Sequence, residues 1–248
     1  MMQEIDKIDV PGLQSFLSDF RRLAPAPSSS AEAVTDTAGL TSFLRAYRAR
    51  IATARDQGLA LNPWTVAGLG RNEVRNCAVL ATLVDSGRLG ITARNFLTVL
   101  LDRVPGWGRH DLLMNDVAAG NYVVKCETCI AGDWSNRVDV LIESDAIENG
   151  WMIAIEVKID AGLGRRQLED YHDDLHRRAL ATGRSPFLLF LAPFEPVHLD
   201  QGVRRDLGHL RWDDVHDAAN KAIEACGDGH AHARYMLAAF RDHIAHFG

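Results

Sequence analysis

The stretch "WMIAIEVKID", residues 151–160, opens with five apolar residues and then places Glu156 and Lys158 with only Val157 between them. An unbroken apolar run of this length suits a strand buried on both faces of a sheet. Side chains two apart on a strand share a face about 7 Å apart, so the two charges project together from the strand's end. Taken alone, the pair reads equally well as an ion pair at a sheet margin. Its neighbours in the chain carry the decision.

Downstream, "RRQLEDYHDDLHRRALATG" (165–183) has the period of an amphipathic helix, with Leu168, Tyr171, Leu175 and Leu180 expected along its inner side and Gly183 closing it. The buried strand "PFLLFLAP" (186–193) follows. Strand, helix and strand in so short a span form a crossover, which makes the two strands parallel. Upstream lie two further strand-like segments, 121–130 and 137–143 ("RVDVLIE"), so strands at 121–130, 137–143 and 151–159 precede the crossover.

Before the strands, "RNEVRNCAVLATLVDSG" (71–87) carries an apolar stripe of Val74, Cys77, Ala78, Leu80, Ala81 and Val84, expected to end at Gly87. A second helix over "TARNFLTVLLDRV" (92–104) should pack beside it. Near the end, "HLRW" (209–212) fits a further strand, Asp213 is placed to cap "DVHDAANKAIEAC", and "HARYMLAAFRDHIAHF" fits a closing helix. The pattern is α/β: a mixed sheet with helices on both faces. Residues 1–39 read as an N-terminal helix (11–23) and a Pro, Ser and Ala linker (24–39), and residues 40–248 as the main domain.

Composition narrows the class. With 47% hydrophobic residues in 248 there is material for a sizeable core. No apolar run approaches the ~20 residues of a membrane helix, and "MMQEIDKIDV" lacks a basic, apolar leader pattern, so a cytoplasmic protein without membrane association is expected. Four cysteines are too few for a disulfide scaffold. Cys126 and Cys129 form a C-x-x-C within a strand, where their side chains point to opposite faces, and no second pair completes a zinc site. His230, His232, His243 and His246 cluster on an apparently solvated helix without cysteine or carboxylate at zinc spacing. "AGLGR" occurs twice, completing neither a dinucleotide nor a P-loop fingerprint, and the five tryptophans are too dispersed for a base-stacking platform.

A net charge of −6 argues against a protein that coats nucleic acid by charge alone. Acidity peaks between 125 and 155, where two basic and six acidic residues fall around the opening stretch. Asp139 interrupts "RVDVLI" where an apolar residue would pack, and a carboxylate there is costly unless it is paired, with Arg137 the nearest partner, or bound to a metal. Asp139 and Glu156 on adjacent strands, with Glu73 at the start of a helix, make an oxygen-only donor set of the type that suits Mg²⁺ or Mn²⁺. Lys158 could then orient a water or stabilise phosphate charge, while Gln167 and Tyr171, four apart on one helix face, could support it.

The order of Glu73, Asp139, "IAIEVK" and "QLEDY" resembles the PD-(D/E)XK nuclease superfamily, in particular a bacterial, defence-associated branch with a segment similar to "AGLGRNEVRNCAVLATLVD" and a Q-L-x-x-Y helix. The resemblance runs from about residue 60 to about 240. It implies a restriction-endonuclease-like α-β-β-β-α-β core with extra N- and C-terminal helices. It further implies Asp139, Glu156 and the Val157 carbonyl as metal ligands, Glu73 as an outer ligand, Lys158 as the catalytic lysine, and Gln167 and Tyr171 as supporting residues. Val138 stands where the family's name has proline, a position that varies. The expected activity is Mg²⁺- or Mn²⁺-dependent endonucleolytic hydrolysis of DNA, with a role in restriction or phage defence and with room for a homodimer. The alternative is a catalytically inactive module of the same fold that binds nucleic acid or a protein partner.

Overall fold

The computed structural model describes residues 37–56, 58, 61–129, 137–146 and 149–247. The helix expected at 11–23 and nearly all of the 24–39 linker lie outside the described residues. Residues up to Thr53 form one compact unit and those from Ala54 onward another. In the first, helix α1 (Thr37–Asp56) stacks Phe43 on Tyr47, four residues apart on one face. No helix among the described residues is long and apolar enough to cross a membrane.

The second unit begins with a short helix α2 (Pro63–Val66), whose amides at Trp64 and Thr65 are capped by the Asn62 side chain. Helices α3 (Glu73–Leu83), α4 (Ser86–Asp102) and α5 (Asp111–Ala119) lead into the sheet. Strands β1 (Tyr122–Cys129), β2 (Arg137–Ser144) and β3 (Trp151–Val157) pair antiparallel in sequence order. Helix α6 (Gln167–Thr182) then crosses over to β4 (Ser185–Leu191), parallel to β3. A second crossover through α7 (Gln201–Asp206) brings β5 (Leu207–Leu210) parallel to β4. Helices α8 (Trp212–Ala225) and α9 (Ala231–Ile244) close the chain.

The result is a five-stranded mixed sheet in the order β1-β2-β3-β4-β5, with helices on both faces. On one face α3, α4, α8 and α9 bury Leu80, Phe96, Trp212 and Phe240 against Ile153, Ile155 and Leu189. On the other, Tyr171, Leu175 and Ala179 of α6 pack on Leu141, Met152, Ala154 and Leu188. Every residue of β3 is buried, as its position at the sheet centre demands. The sheet and its two crossovers fit a restriction-endonuclease-like α/β fold.

Several local expectations shift. The stripe on α3 does not run to Gly87: the helix stops at Leu83, and Asp85 caps a new helix by accepting from the Gly87 amide. Val74, assigned to the stripe, is exposed. Helix α4 starts earlier than residue 92 because Gly90, at φ 55°, permits a kink that joins an extra turn. On α6 the inner row is Leu168, Tyr171, Leu175 and Ala179; Leu180 is 88% exposed, being five residues beyond Leu175 rather than three or four. Strand β5 sits two residues ahead of "HLRW", because Trp212 already begins α8, and Asp213 lies inside that helix while Asp214 caps it by accepting from the Arg211 amide. Nor is His243 solvated: it is half-buried, with Nε2 3.1 Å from the Gly70 carbonyl and 3.2 Å from Asn76 Oδ1, and burial lowers its pKa.

Candidate active site

The site begins where the β2–β3 ladder ends. The last paired residues are Val140 and Ile155, and beyond them the strands part. The Val157 amide is left facing the side chain of Asp139, whose Oδ2 accepts its hydrogen at 2.7 Å. A strand-end amide is thus satisfied by a carboxylate rather than by a neighbouring strand. Arg137 does not pair with Asp139; its guanidinium faces Glu127 at 3.8 Å.

Glu156, almost fully buried, lies beside Asp139. Burial and the Asp139 charge push its pKa up to about 7, although Lys158 pulls in the opposite direction. Burial also raises Asp139, against the opposing pull of the Val157 amide and Lys158. Lys158 Nζ stands 2.5 Å from Glu156 Oε1 and is only 12% exposed. Burial disfavours its charge, but Glu156, Asp139 and Glu73 together outweigh that, and the net pKa is raised. Two carboxyls and one ammonium therefore share this end of the sheet.

A chain of hydrogen bonds fixes Glu156 from α6. Gln167 Nε2 donates to Glu156 Oε1 at 2.7 Å and to the Tyr171 hydroxyl at 3.0 Å, and that hydroxyl donates to the Arg137 carbonyl at 2.7 Å. Gln167 Oε1 accepts from the Gly164 amide. The four-residue spacing read from the sequence therefore lets Tyr171 brace Gln167, which in turn holds the Glu156 carboxylate. Tyr171 is held protonated, burial raising its pKa to about 12.

Lys158 is held through its backbone. Its amide donates to the Leu191 carbonyl at 2.8 Å, and its carbonyl accepts from Trp212 Nε1 at 2.9 Å. The next three amides, of Ile159, Asp160 and Ala161, all donate to Glu73 Oε1 at 2.8, 3.3 and 3.1 Å. Glu73 is thus brought to the site, but one of its oxygens is committed to the turn after Lys158. Trp212 carries no motif signal and escaped sequence reasoning. Cys77 also lies near the acidic group, where burial and then the charge of Asp139 raise its pKa, so it stays a thiol.

All seven residues singled out from the sequence, Glu73, Asp139, Glu156, Val157, Lys158, Gln167 and Tyr171, therefore meet at one end of the sheet. Asp139 and Glu156, with the backbone carbonyl of Val157 next in the chain, offer a hard-oxygen donor set, and the raised Glu156 pKa marks a place where an added cation would relieve repulsion. The residues present fit a divalent metal.

The fold is that of a nuclease class. Over residues 61–202, more than half of its length, the chain matches the PD-(D/E)XK nuclease superfamily and belongs to it. Nucleases of this superfamily use divalent metals and act on nucleic acid. No curated protein and no solved structure matches the chain.

A titration prediction follows from Glu156. Its folded pKa lies above the ordinary value of 4.5, so its contribution to stability is complete below about pH 4.5 and is lost as pH rises through about 7. In EDTA the melting temperature should fall across that window, and Glu156→Gln should flatten the fall. Equal slopes for wild type and variant would contradict the assignment.

Sequence reasoning passed over one further group. His172 and His176, four apart on α6, converge with Asp206 at the end of α7. The H-x-x-x-H spacing within "YHDDLHRR" was the available signal, but the partner carboxylate lies 30 residues on, and only the second crossover brings it near.

Proposed function

We propose that the protein is a Mg²⁺- or Mn²⁺-dependent endonuclease that hydrolyses phosphodiester bonds in DNA, acting in the cytoplasm in restriction or defence against phage. One observation carries the reading: half-buried Asp139 and buried Glu156 lie side by side, with Lys158, 2.5 Å from Glu156, as the cation against two acids among the described residues. An inactive module would have no reason to keep buried charges at this cost.

On this reading Asp139, Glu156 and the Val157 carbonyl hold the cation, and Glu73 bears on it from outside. When bound, the cation supplies Lewis acidity, lowering the pKa of water and neutralising phosphate charge. Lys158 directs a water at phosphorus and stabilises the charge that accumulates on the phosphate oxygens. Gln167, itself held by the Tyr171 hydroxyl, keeps Glu156 in position. Arg165 and Arg166, next to Gln167 at the start of α6, would meet the phosphate backbone from the rim of a cleft of about 510 Å³ that Glu169, Glu195 and Asp200 also line. A second copy of the chain would allow both strands of a duplex to be cut.

The test is incubation of pure protein with linear, circular and single-stranded DNA and with RNA, in Mg²⁺, Mn²⁺ or EDTA. Cleavage of circular DNA with metal and none in EDTA is expected. Intact substrates under every condition would favour the binding module. Calcium gives a sharper check: it prefers roughly 6 to 8 oxygens at longer distances and acidifies water less. Ca²⁺ should therefore support DNA binding in a gel-shift assay, give no turnover, and inhibit the Mg²⁺ reaction. Robust cleavage in Ca²⁺ would contradict the donor set assigned here.

A further inference from the structure

We propose a second metal site, for Zn²⁺, formed by His172 and His176 of α6 and Asp206 of α7, which clasps the two helices together. One donor atom from each residue lies within 4.8 Å of the other two. Donors 2.0–2.1 Å from a tetrahedral zinc stand about 3.3 Å apart, so small side-chain rotations close the set. His172 Nε2 is already 3.2 Å from Asp206 Oδ2, and His176 Nε2 is 3.8 Å from the same oxygen. The two rings lie 4.1 Å apart between centroids. Both imidazoles thus present Nε2 toward one carboxylate oxygen, as three ligands of one ion would.

The surroundings orient these donors. Without metal the nearer carboxylate, Asp206 Oδ2 at 3.2 Å, draws the His172 hydrogen to Nε2; a metal held there would shift it to Nδ1, which Asp173 Oδ1 faces at 3.7 Å. Arg205 Nε donates to Asp206 Oδ1 at 3.0 Å and so leaves Oδ2 turned to the imidazoles. Two nitrogens and one carboxylate select a borderline ion such as Zn²⁺ over Mg²⁺, the reverse of the preference at Asp139 and Glu156. The chain would then sort two metals by donor type. Water completes the coordination, since among the described residues no other His, Cys, Asp or Glu joins the group.

The position gives the ion a purpose. Helix α6 carries Gln167 and Tyr171, which hold Glu156, and α7 follows the Phe194–Asp200 loop that walls the cleft beside Arg165 and Arg166. A metal joining the two helices fixes that wall relative to the site. The clasp is structural and makes no contact with the reacting groups.

The test is titration of untagged, EDTA-treated protein with Zn²⁺ by calorimetry, in the Asp139→Asn/Glu156→Gln background that removes the carboxylate centre. A parallel titration of wild-type protein in excess Mg²⁺ covers the case in which the double variant folds poorly. One equivalent is expected to bind at micromolar protein concentration and to raise the melting temperature. His176→Ala, at a side chain 44% exposed and so tolerant of replacement, should weaken binding by more than the ~10–100-fold that loss of an outer partner costs. X-ray absorption of the loaded protein should report two imidazole nitrogens. Absence of stoichiometric binding, an unchanged affinity in His176→Ala, or coordination without imidazole would each overturn the site.

Discussion

Lys158→Ala is expected to reduce cleavage by at least about 10²–10³-fold, the scale of losing one preorganised charge at a transition state, while leaving metal affinity within a few fold. The side chain is not a ligand. It sits 2.5 Å from Glu156 Oε1 and competes with a cation for that oxygen, yet it also pulls the raised Glu156 pKa downward and so favours the anion. Its removal changes affinity in two opposite directions, and the net effect should be small. The fold should survive, because Lys158 is anchored by its backbone to Leu191 and Trp212, bonds that alanine keeps. Single-turnover cleavage and Mn²⁺ calorimetry on the same preparation check both halves. A variant that cuts near the wild-type rate would refute the role given to the lysine.

Asp139→Asn should separate a metal centre from a structural carboxylate by sign. If Asp139 were half of a buried ion pair, its loss would cost about 3–5 kcal/mol. Its backbone partner is instead the Val157 amide at 2.7 Å, and an asparagine oxygen can accept that hydrogen equally well. What the change removes is repulsion against Glu156. Without metal the variant should therefore melt at or above the wild-type temperature. With Mn²⁺ at about 100 times its dissociation constant the wild type gains about 2.7 kcal/mol, some 5–10 °C for a domain of this size, and the variant gains little. Four melting curves at a pH above 7 suffice. A variant that melts well below wild type in EDTA, together with a wild type indifferent to Mn²⁺, would remove the metal site.

The site was legible in sequence because its residues break local rules. Asp139 and Glu156 are acids in strands that are otherwise apolar, and Gln167 and Tyr171 repeat at a helical interval, so each announces a constraint that packing alone does not explain. The sheet was legible for a related reason: an apolar strand, a charged helix and a second apolar strand have few ways to combine. What stayed hidden depended on three-dimensional neighbours. Leu180 is apolar but falls off the α6 stripe, and Gly87 resembles a helix stop yet lies in the first turn of the next helix. Asp206 gains meaning only once the second crossover sets it beside His172. Trp212 looks like any core aromatic until its indole is seen on the Lys158 carbonyl.

The backbone around Lys158 is gripped from both directions along the chain, by Glu73 from 86 residues before Ile159 and by Trp212 from 54 residues after Lys158. During synthesis the acids and the lysine leave the ribosome well before the indole that completes their setting. On the functional reading given above, a chain grown past Tyr171 but not yet to Trp212 carries every catalytic side chain but lacks the frame that aligns them. Cutting power then arrives late in translation, and a cell that makes a nuclease is shielded from its unfinished copies by the order in which the polypeptide emerges.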